Sequence, residues 1–328
     1  MSNRYVIVAP CRNEAKYMRL TLDSLVAQTI RPALLVVVDD GSTDDTPRIL
    51  AEYAAKHDWI RVVTRKDRGA RSVGPGVIET FYAGLETVNL DEFDFLCKLD
   101  LDLDLPSRYF EVLLQRMAAE PRLGTCSGKP YFVNALGKLE PEVCGDEMSV
   151  GMTKFYRVEC FRQIGGFVRE VMWDGIDCHR CRMLGWIAAS WDDEAIRFVH
   201  LRPMGSSQQG IWTGRMRHGF GQYFMGTSLA YITASALFRV WRSPVLVGGL
   251  GIWWGYVRAM LARTPRYDDA VFRRHLRRYQ RESLLFGKKR ATEAGNARGA
   301  NVWRPERRSM PSTPAAATQP TLVPAFHQ

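Results

Sequence analysis

Cysteine is scarce in this chain and follows no pattern that would pair it. The seven cysteines are odd in number and lack disulfide-like spacing, which argues against a disulfide-stapled scaffold and fits a reducing compartment. Cys178-His179-Arg180-Cys181 is a lone CxxC, and with no second pair nearby it argues against zinc. No signal-peptide pattern is visible, because the chain enters the apolar run Tyr5-Val6-Ile7-Val8-Ala9 at once. Long hydrophobic runs are missing as well. Residues 243–257 are uncharged but only 15 long, and a helix needs roughly 20 to span a bilayer core. Residues 218–238 are long enough, yet Gly, Gln, Ser, Thr and Tyr dilute them. Net charge is absent over residues 1–257, where 30 Lys/Arg meet 30 Asp/Glu.

The whole net charge of +10 therefore lies between Arg258 and Arg308, with 15 Lys/Arg against 5 Asp/Glu. Such a cluster suits an anionic partner. Trp241, Trp253 and Trp254, with arginines at 239, 242, 258, 263 and 266, suggest helices at a membrane interface and not a nucleic-acid surface. The bland alternative is a hydrophobic helical pair packed on the rest of the chain. Glycines at 205, 210, 214, 219, 221 and 226 predict a flexible loop over 205–226, with Arg215 and Arg217 available on it. Residues 289–328, rich in Ala, Pro, Thr and Arg, read as a disordered tail.

Upstream, strands alternate with helical patterns. YVIVAP (5–10), LLVVVDD (34–40), WIRVVTR (59–65) and FDFLCKLD (93–100) read as buried strands. Residues 14–28 and 75–88 have helical spacing, and Thr46-Pro47 opens another helix. This order predicts βαβ units and a parallel sheet with helices on both faces. In such sheets ligands bind outside the carboxyl ends of the strands. Pro10-Cys11-Arg12-Asn13, Asp39-Asp40-Gly41-Ser42 and Asp100-Leu101-Asp102 each follow a strand end, so three polar clusters converge on one edge.

KLDLDLDLP (98–106) is the densest of these clusters. In a strand its three aspartates would share one face and its leucines the other, and neighbouring carboxylates repel unless something cationic is held. Asp-x-Asp after a strand offers hard oxygen ligands for Mg²⁺ or Mn²⁺, with a diphosphate filling the remaining positions. Val37 to Thr46, VVDDGSTDDT, supplies acceptor carboxylates and a tight turn that suit a nucleoside. Turn chemistry and helix capping account for Ser42, Thr43 and Asp44 equally well, but less well for Asp39.

Taken together, YVIVAPCRNE, VVVDDGSTDDT and KLDLDLDLP, in this order and spacing, resemble the inverting family 2 glycosyltransferases over roughly residues 4–204. The resemblance implies an α/β GT-A (nucleotide-diphospho-sugar transferase) fold, with a central, mostly parallel sheet flanked by helices. It implies a catalytic domain over 1–204, with a donor half to about 105 and an acceptor half from about 106. C-terminal amphipathic and hydrophobic helices over 227–288 would associate with membrane. Pro10, Arg12, Glu14, Asp39, Asp40, Ser42 and Arg71 would bind the nucleotide-sugar donor. Asp100 and Asp102 match the Asp-x-Asp pair for Mn²⁺ or Mg²⁺, Asp102 the direct ligand, and His200 matches a third metal or diphosphate contact. Asp104 falls outside the pair. Trp173-Asp174-Gly175-Ile176-Asp177 resembles the stretch with the catalytic base, which makes Asp174 the base and Asp177 its rival. Trp173 stands where the family has an acid.

An inverting transfer needs a carboxylate that deprotonates the acceptor as it attacks, and cations that stabilise the departing diphosphate. Arg215 and Arg217 are expected to clamp that diphosphate from a closing loop. The expectation is a metal-dependent transferase on the cytoplasmic face of a membrane. It would move one sugar from a UDP-sugar to a lipid-linked or polysaccharide acceptor. No Gln-x-x-Arg-Trp motif of the processive synthases occurs. The competing expectation is a non-catalytic nucleotide-sugar-binding scaffold, motivated by the altered Trp-Asp-Gly-Ile-Asp stretch.

Overall fold

The computed structural model describes residues 3–67, 69, 74–134, 136–202, 210–240 and 247–305. The run Tyr5–Cys11 forms β1 and is buried at every position, as a strand covered on both faces must be. α1 (Met18–Val26), β2 (Leu34–Asp39), α2 (Thr46–Lys56), β3 (Ile60–Thr64), α3 (Pro75–Leu85) and β4 (Phe95–Leu99) follow. Pro47 and Pro75 sit in the first turns of α2 and α3, where a missing N–H costs nothing. Next come β5 (Leu103–Asp104), α4 (Tyr109–Ala119), β6 (Leu123–Ser127), β7 (Pro130–Val133), β8 (Leu139–Pro141) and β9 (Thr153–Arg157). α5 (Val158–Gln163), α6 (Trp173–Met183), β10 (Ile187–Ser190) and β11 (Phe198–His200) close this part.

Seven strands form the main sheet in the order β10-β6-β9-β4-β1-β2-β3. Only β9 runs against its neighbours β4 and β6. One apolar layer lies under α1, α2 and α4 and includes Leu22, Leu50, Phe110 and Phe155. The other lies under α3, α5 and α6 and includes Phe81, Tyr156, Phe161 and Trp173. A small second sheet, β5-β11-β7-β8, stands over one end. The LDLDL run is not one alternating strand. β4 stops at Leu99, residues 101 and 102 bend, and β5 starts at Leu103, whose N–H donates to Thr21 Oγ1 at 3.0 Å. Leu101, Leu103 and Leu105 are buried in the core as expected, and Asp104 is exposed.

Five helices complete the described chain: α7 (Ile211–Met225), α8 (Leu229–Val240), α9 (Val247–Leu261), α10 (Ala270–Phe286) and α11 (Lys288–Ala300). The expected flexible loop is thus corrected from residue 211 onward; residues 203–209 lie outside the described residues. The physical reason is steric. A Cβ on Gly219 would fall 2.0 Å from the Ile252 carbonyl oxygen, and one on Gly255 would fall 2.1 Å from that of Met216. The glycines let α7 and α9 touch backbone to backbone. The expected tail is likewise helical over Lys288–Ala300. There Arg122 donates to the Asn296 carbonyl at 2.6 Å, and Trp303 meets Trp186 edge-on at 5.6 Å. Docking, not propensity, holds this alanine- and glycine-rich segment. Residues 306–328 lie outside the described residues. Among the described residues no helix is long and apolar enough to cross a membrane.

Candidate functional site

β1 and β2 end in register, with Cys11 opposite Asp39, so the loops after them meet. Asn13 and Ser42 stitch those loops: the Asn13 N–H donates to Ser42 Oγ at 2.9 Å, and the Thr43 N–H donates to Asn13 Oδ1 at 2.8 Å. Asp39 is buried, and its Oδ1 accepts the Ser42 N–H at 2.9 Å. Beyond these strand ends opens a cleft of about 260 Å³. It is lined by Pro10, Arg12, Glu14 and Asp40 from the first two strand ends, by Lys98, Asp100 and Asp102, by Trp173, and by Gly74, Gly76 and Thr80 at and near the start of α3. Asp39 and Ser42 are not among the lining residues; they brace the loop that is.

The Arg12 guanidinium donates to the Asp40 carbonyl at 2.5 Å and to Asp67 Oδ1 at 2.7 Å, so it is fixed in the wall. Asp40 Oδ1 meets Arg65 at 2.9 Å. Arg71 lies outside the described residues.

The Asp-x-Asp bend points its two carboxylates at different partners. Asp100 Oδ1 lies 2.5 Å from Lys98 Nζ, and burial raises the Asp100 pKa against that cation. Asp102 is buried beside His200, whose Nε2 is 3.8 Å from Asp102 Oδ2, and beside Arg202 at 3.6 Å. Burial would raise the Asp102 pKa, but His200, Arg202 and Lys98 together lower it. On its other side His200 Nδ1 sits 3.0 Å from Glu142 Oε2. Against the cost of burial, Asp102 and Glu142 raise the imidazole pKa to about 9. Arg202 also pairs with Glu14, tying β11 to the β1 loop.

Among the described residues no three His, Cys, Asp or Glu side chains converge as a ready metal site. The donor set nonetheless fits a hard divalent cation. Asp102 Oδ1 is buried and has no hydrogen-bond partner among the described residues, and such an atom is costly unless something is held there. One or two carboxylates completed by diphosphate oxygens and water is the usual set for Mg²⁺.

The acceptor-side carboxylates separate sharply. Asp177 is buried and gripped by Lys154 Nζ at 2.7 and 2.6 Å, and it accepts the Tyr156 hydroxyl. Lys154 is buried too; the Asp177 charge outweighs desolvation and raises its pKa. Asp177 therefore does not open on the cleft. The physical reason is its place as the fifth residue of α6, facing Lys154 and Tyr156 of β9. Asp174 is not among the lining residues either, but it is half-buried next to the wall: a Cβ on the cleft residue Gly151 would lie 3.0 Å from its Oδ2. Trp173, noted from sequence only as a missing acid, lines the cleft with Lys98 and Lys154 at 5.3 and 5.6 Å from its ring. Met172 before it has φ 63°, a left-handed conformation that a side chain rarely adopts.

Arg215 and Arg217 belong to α7 and are not among the lining residues. The Arg215 Cβ packs toward Gly251 of α9, and burial lowers the Arg217 pKa. A clamp on a mobile loop is corrected to two helix residues. Sequence reading missed Lys98, Lys154, Glu142 and Asp67. A lysine inside the apolar run FLCKL was the one local signal, since charge in a central strand is unusual.

A mostly parallel sheet with a cleft beyond its carboxyl ends and an Asp-x-Asp bend in the cleft wall defines the GT-A class of α/β folds. GalNAc-T7, solved with UDP, GalNAc and Mn²⁺, shares that fold with a TM-score of 0.52 at 14% identity, over 71% of this chain and 50% of that one. Residues 6–142 match the model of Glycosyl transferase family 2, so the first part of the chain is similar to that family. It is 38% identical over 93 residues to chondroitin synthase of Escherichia coli, covering 27% of this chain and 13% of that protein. It is 25% identical over 136 residues to poly-beta-1,6-N-acetyl-D-glucosamine synthase of Staphylococcus aureus (strain COL), covering 40% and 30%. The matched part thus spans less than a third of either relative.

Proposed function

We propose that this chain transfers a single sugar, with inversion, from a nucleotide sugar to a lipid-linked or polysaccharide acceptor. The observation that carries the proposal is the buried, unpartnered Asp102 Oδ1 in a cleft beyond the carboxyl ends of β1, β2 and β4. Names of relatives that are polysaccharide synthases support the acceptor class. The family resemblance supports a UDP-linked donor.

In this reading the loops after β1 and β2, fixed by Arg12, Asn13 and Ser42, receive the nucleoside. Asp102, with Asp100, would hold Mn²⁺ or Mg²⁺, which supplies charge neutralisation for the departing diphosphate, and the His200 imidazolium beside Asp102 would face that diphosphate. Asp174, at the rim by Gly151, takes the acceptor proton, and the Lys154–Asp177 pair anchors the helix that presents it. Exposed Trp212, Leu237, Phe238, Leu250 and Trp254 on α7, α8 and α9, beside the basic C-terminal segment, support contact with an anionic membrane surface on its cytoplasmic side. The test is a nucleotide-sugar hydrolysis and transfer screen with and without Mn²⁺, with Asp102→Asn as control. Mn²⁺-dependent turnover that Asp102→Asn abolishes is expected. Donor binding with no transfer across a broad acceptor panel would leave the scaffold reading instead.

A further inference from the structure

Lys98 is 2% exposed at the carboxyl end of the central strand β4, and it is the direct cross-strand partner of Lys154, 0% exposed, on β9. Two ammonium groups side by side in a sheet repel and are costly to bury, so each needs its own counter-charge. Lys154 has Asp177. Lys98 has Asp100, at 2.5 Å, with the Gly151 carbonyl at 3.0 Å and the Trp173 ring at 5.3 Å. The carboxylate that Lys98 occupies belongs to the Asp-x-Asp pair.

The other cleft carboxylates also have cations beside them: Asp40 has Arg65, Glu14 and Asp102 share Arg202, and His200 lies between Asp102 and Glu142. A divalent cation arriving alone therefore meets carboxylates that each already face a cation. A nucleoside diphosphate brings new negative charge beside Lys98, and the ammonium then has an alternative partner.

We propose that Lys98 is a positioning residue that withholds Asp100 from the divalent cation until a nucleoside diphosphate enters, so that metal and donor bind as a coupled pair. The inference rests on the proposed metal role of Asp102. Lys98 gates Asp100 alone, and Asp102 is the metal's resting contact.

The test is Mn²⁺ titration of the full chain, read by the loss of the free-ion EPR signal, with and without UDP. In wild type UDP tightens Mn²⁺ binding. Lys98→Met tightens nucleotide-free Mn²⁺ binding by roughly tenfold, the lower end of what partners of metal ligands are worth. Lys98→Arg keeps the charge and restores the wild-type value. Asp100→Asn cancels the gain of Lys98→Met in the double variant, as expected of residues acting through one contact. Nucleotide-free affinity unchanged or weakened in Lys98→Met overturns the inference. So does a gain that survives Asp100→Asn in the double variant, and Lys98→Gln gives the same reading if Lys98→Met does not fold. Mn²⁺ binding insensitive to Asp102→Asn in every background is a different failure, that of the metal reading itself.

Discussion

Asp177→Asn separates a structural carboxylate from a catalytic one. Lys154 and Asp177 are 0% and 1% exposed and 2.6 Å apart, so the substitution preserves volume while stranding an ammonium in the core. Removing one partner of a buried pair costs about 3–5 kcal/mol, a large share of the 5–15 kcal/mol that usually holds a folded protein together. Lys154→Met strands the carboxylate and is expected to cost a similar amount. The double variant Lys154→Met/Asp177→Leu removes both charges and leaves chiefly the Tyr156 hydroxyl unmet, about 1–3 kcal/mol. It is therefore expected to be more stable than either single variant. Urea unfolding midpoints across this cycle measure the coupling directly, and transfer rates are normalised to the folded fraction. An Asp177→Asn protein with an unchanged midpoint and transfer slowed by roughly 10²–10⁴, the span of a general base, would refute the reasoning and make Asp177 the base.

Asp174→Asn is expected to do the reverse, sparing stability and donor binding while transfer falls by about 10²–10⁴; equilibrium UDP binding and single-turnover rates check it. Gly219→Val forces α7 off α9 and is expected to cost about 1–3 kcal/mol, whereas Gly295→Ala, where a Cβ meets nothing within 4 Å, is expected to gain up to about 1 kcal/mol; thermal midpoints compare the two. Burial beside Arg239 lowers the His218 pKa to about 4. The unfolded chain protonates near pH 6.5, so this stability is full above that pH and is lost as pH falls toward 4. The loss is at most about 3 kcal/mol, and His218→Asn should flatten the fall of the melting midpoint over that window. Burial also raises the Cys97 and Cys178 thiols to about 12, so both are expected to stay unreactive to a thiol reagent at pH 8 until the protein unfolds.

Much of the fold was legible because its signals are local. Tyr5–Cys11 and Leu34–Asp39 are apolar without alternation, which only a strand covered on both faces satisfies. The polar residues after them fall at the binding edge because the strands run parallel. The glycines of α7 misled, since glycine as a breaker and glycine as a close-contact residue look identical until a second helix is in place. Lys288–Ala300 misled for the same kind of reason. Its composition lacks a hydrophobic face, and its order comes from Arg122, Gly185 and Trp186, which are far away in sequence.

By itself the sequence determined the α/β class, the edge at which the site lies and the Asp-x-Asp carboxylates, because backbone period and strand direction follow from short-range pattern. Tertiary structure decided what each charge does. Asp174 and Asp177 differ by less than one helical turn, yet one is half-buried beside Gly151 of the cleft wall and the other is locked in the core by a lysine from β9. Asp100 and Asp102 differ by two residues, yet one answers Lys98 and the other His200, which Glu142 braces from 58 positions away. A carboxylate's role depends on which charges and how much water surround it, and those are set by chain segments that meet only in the folded protein.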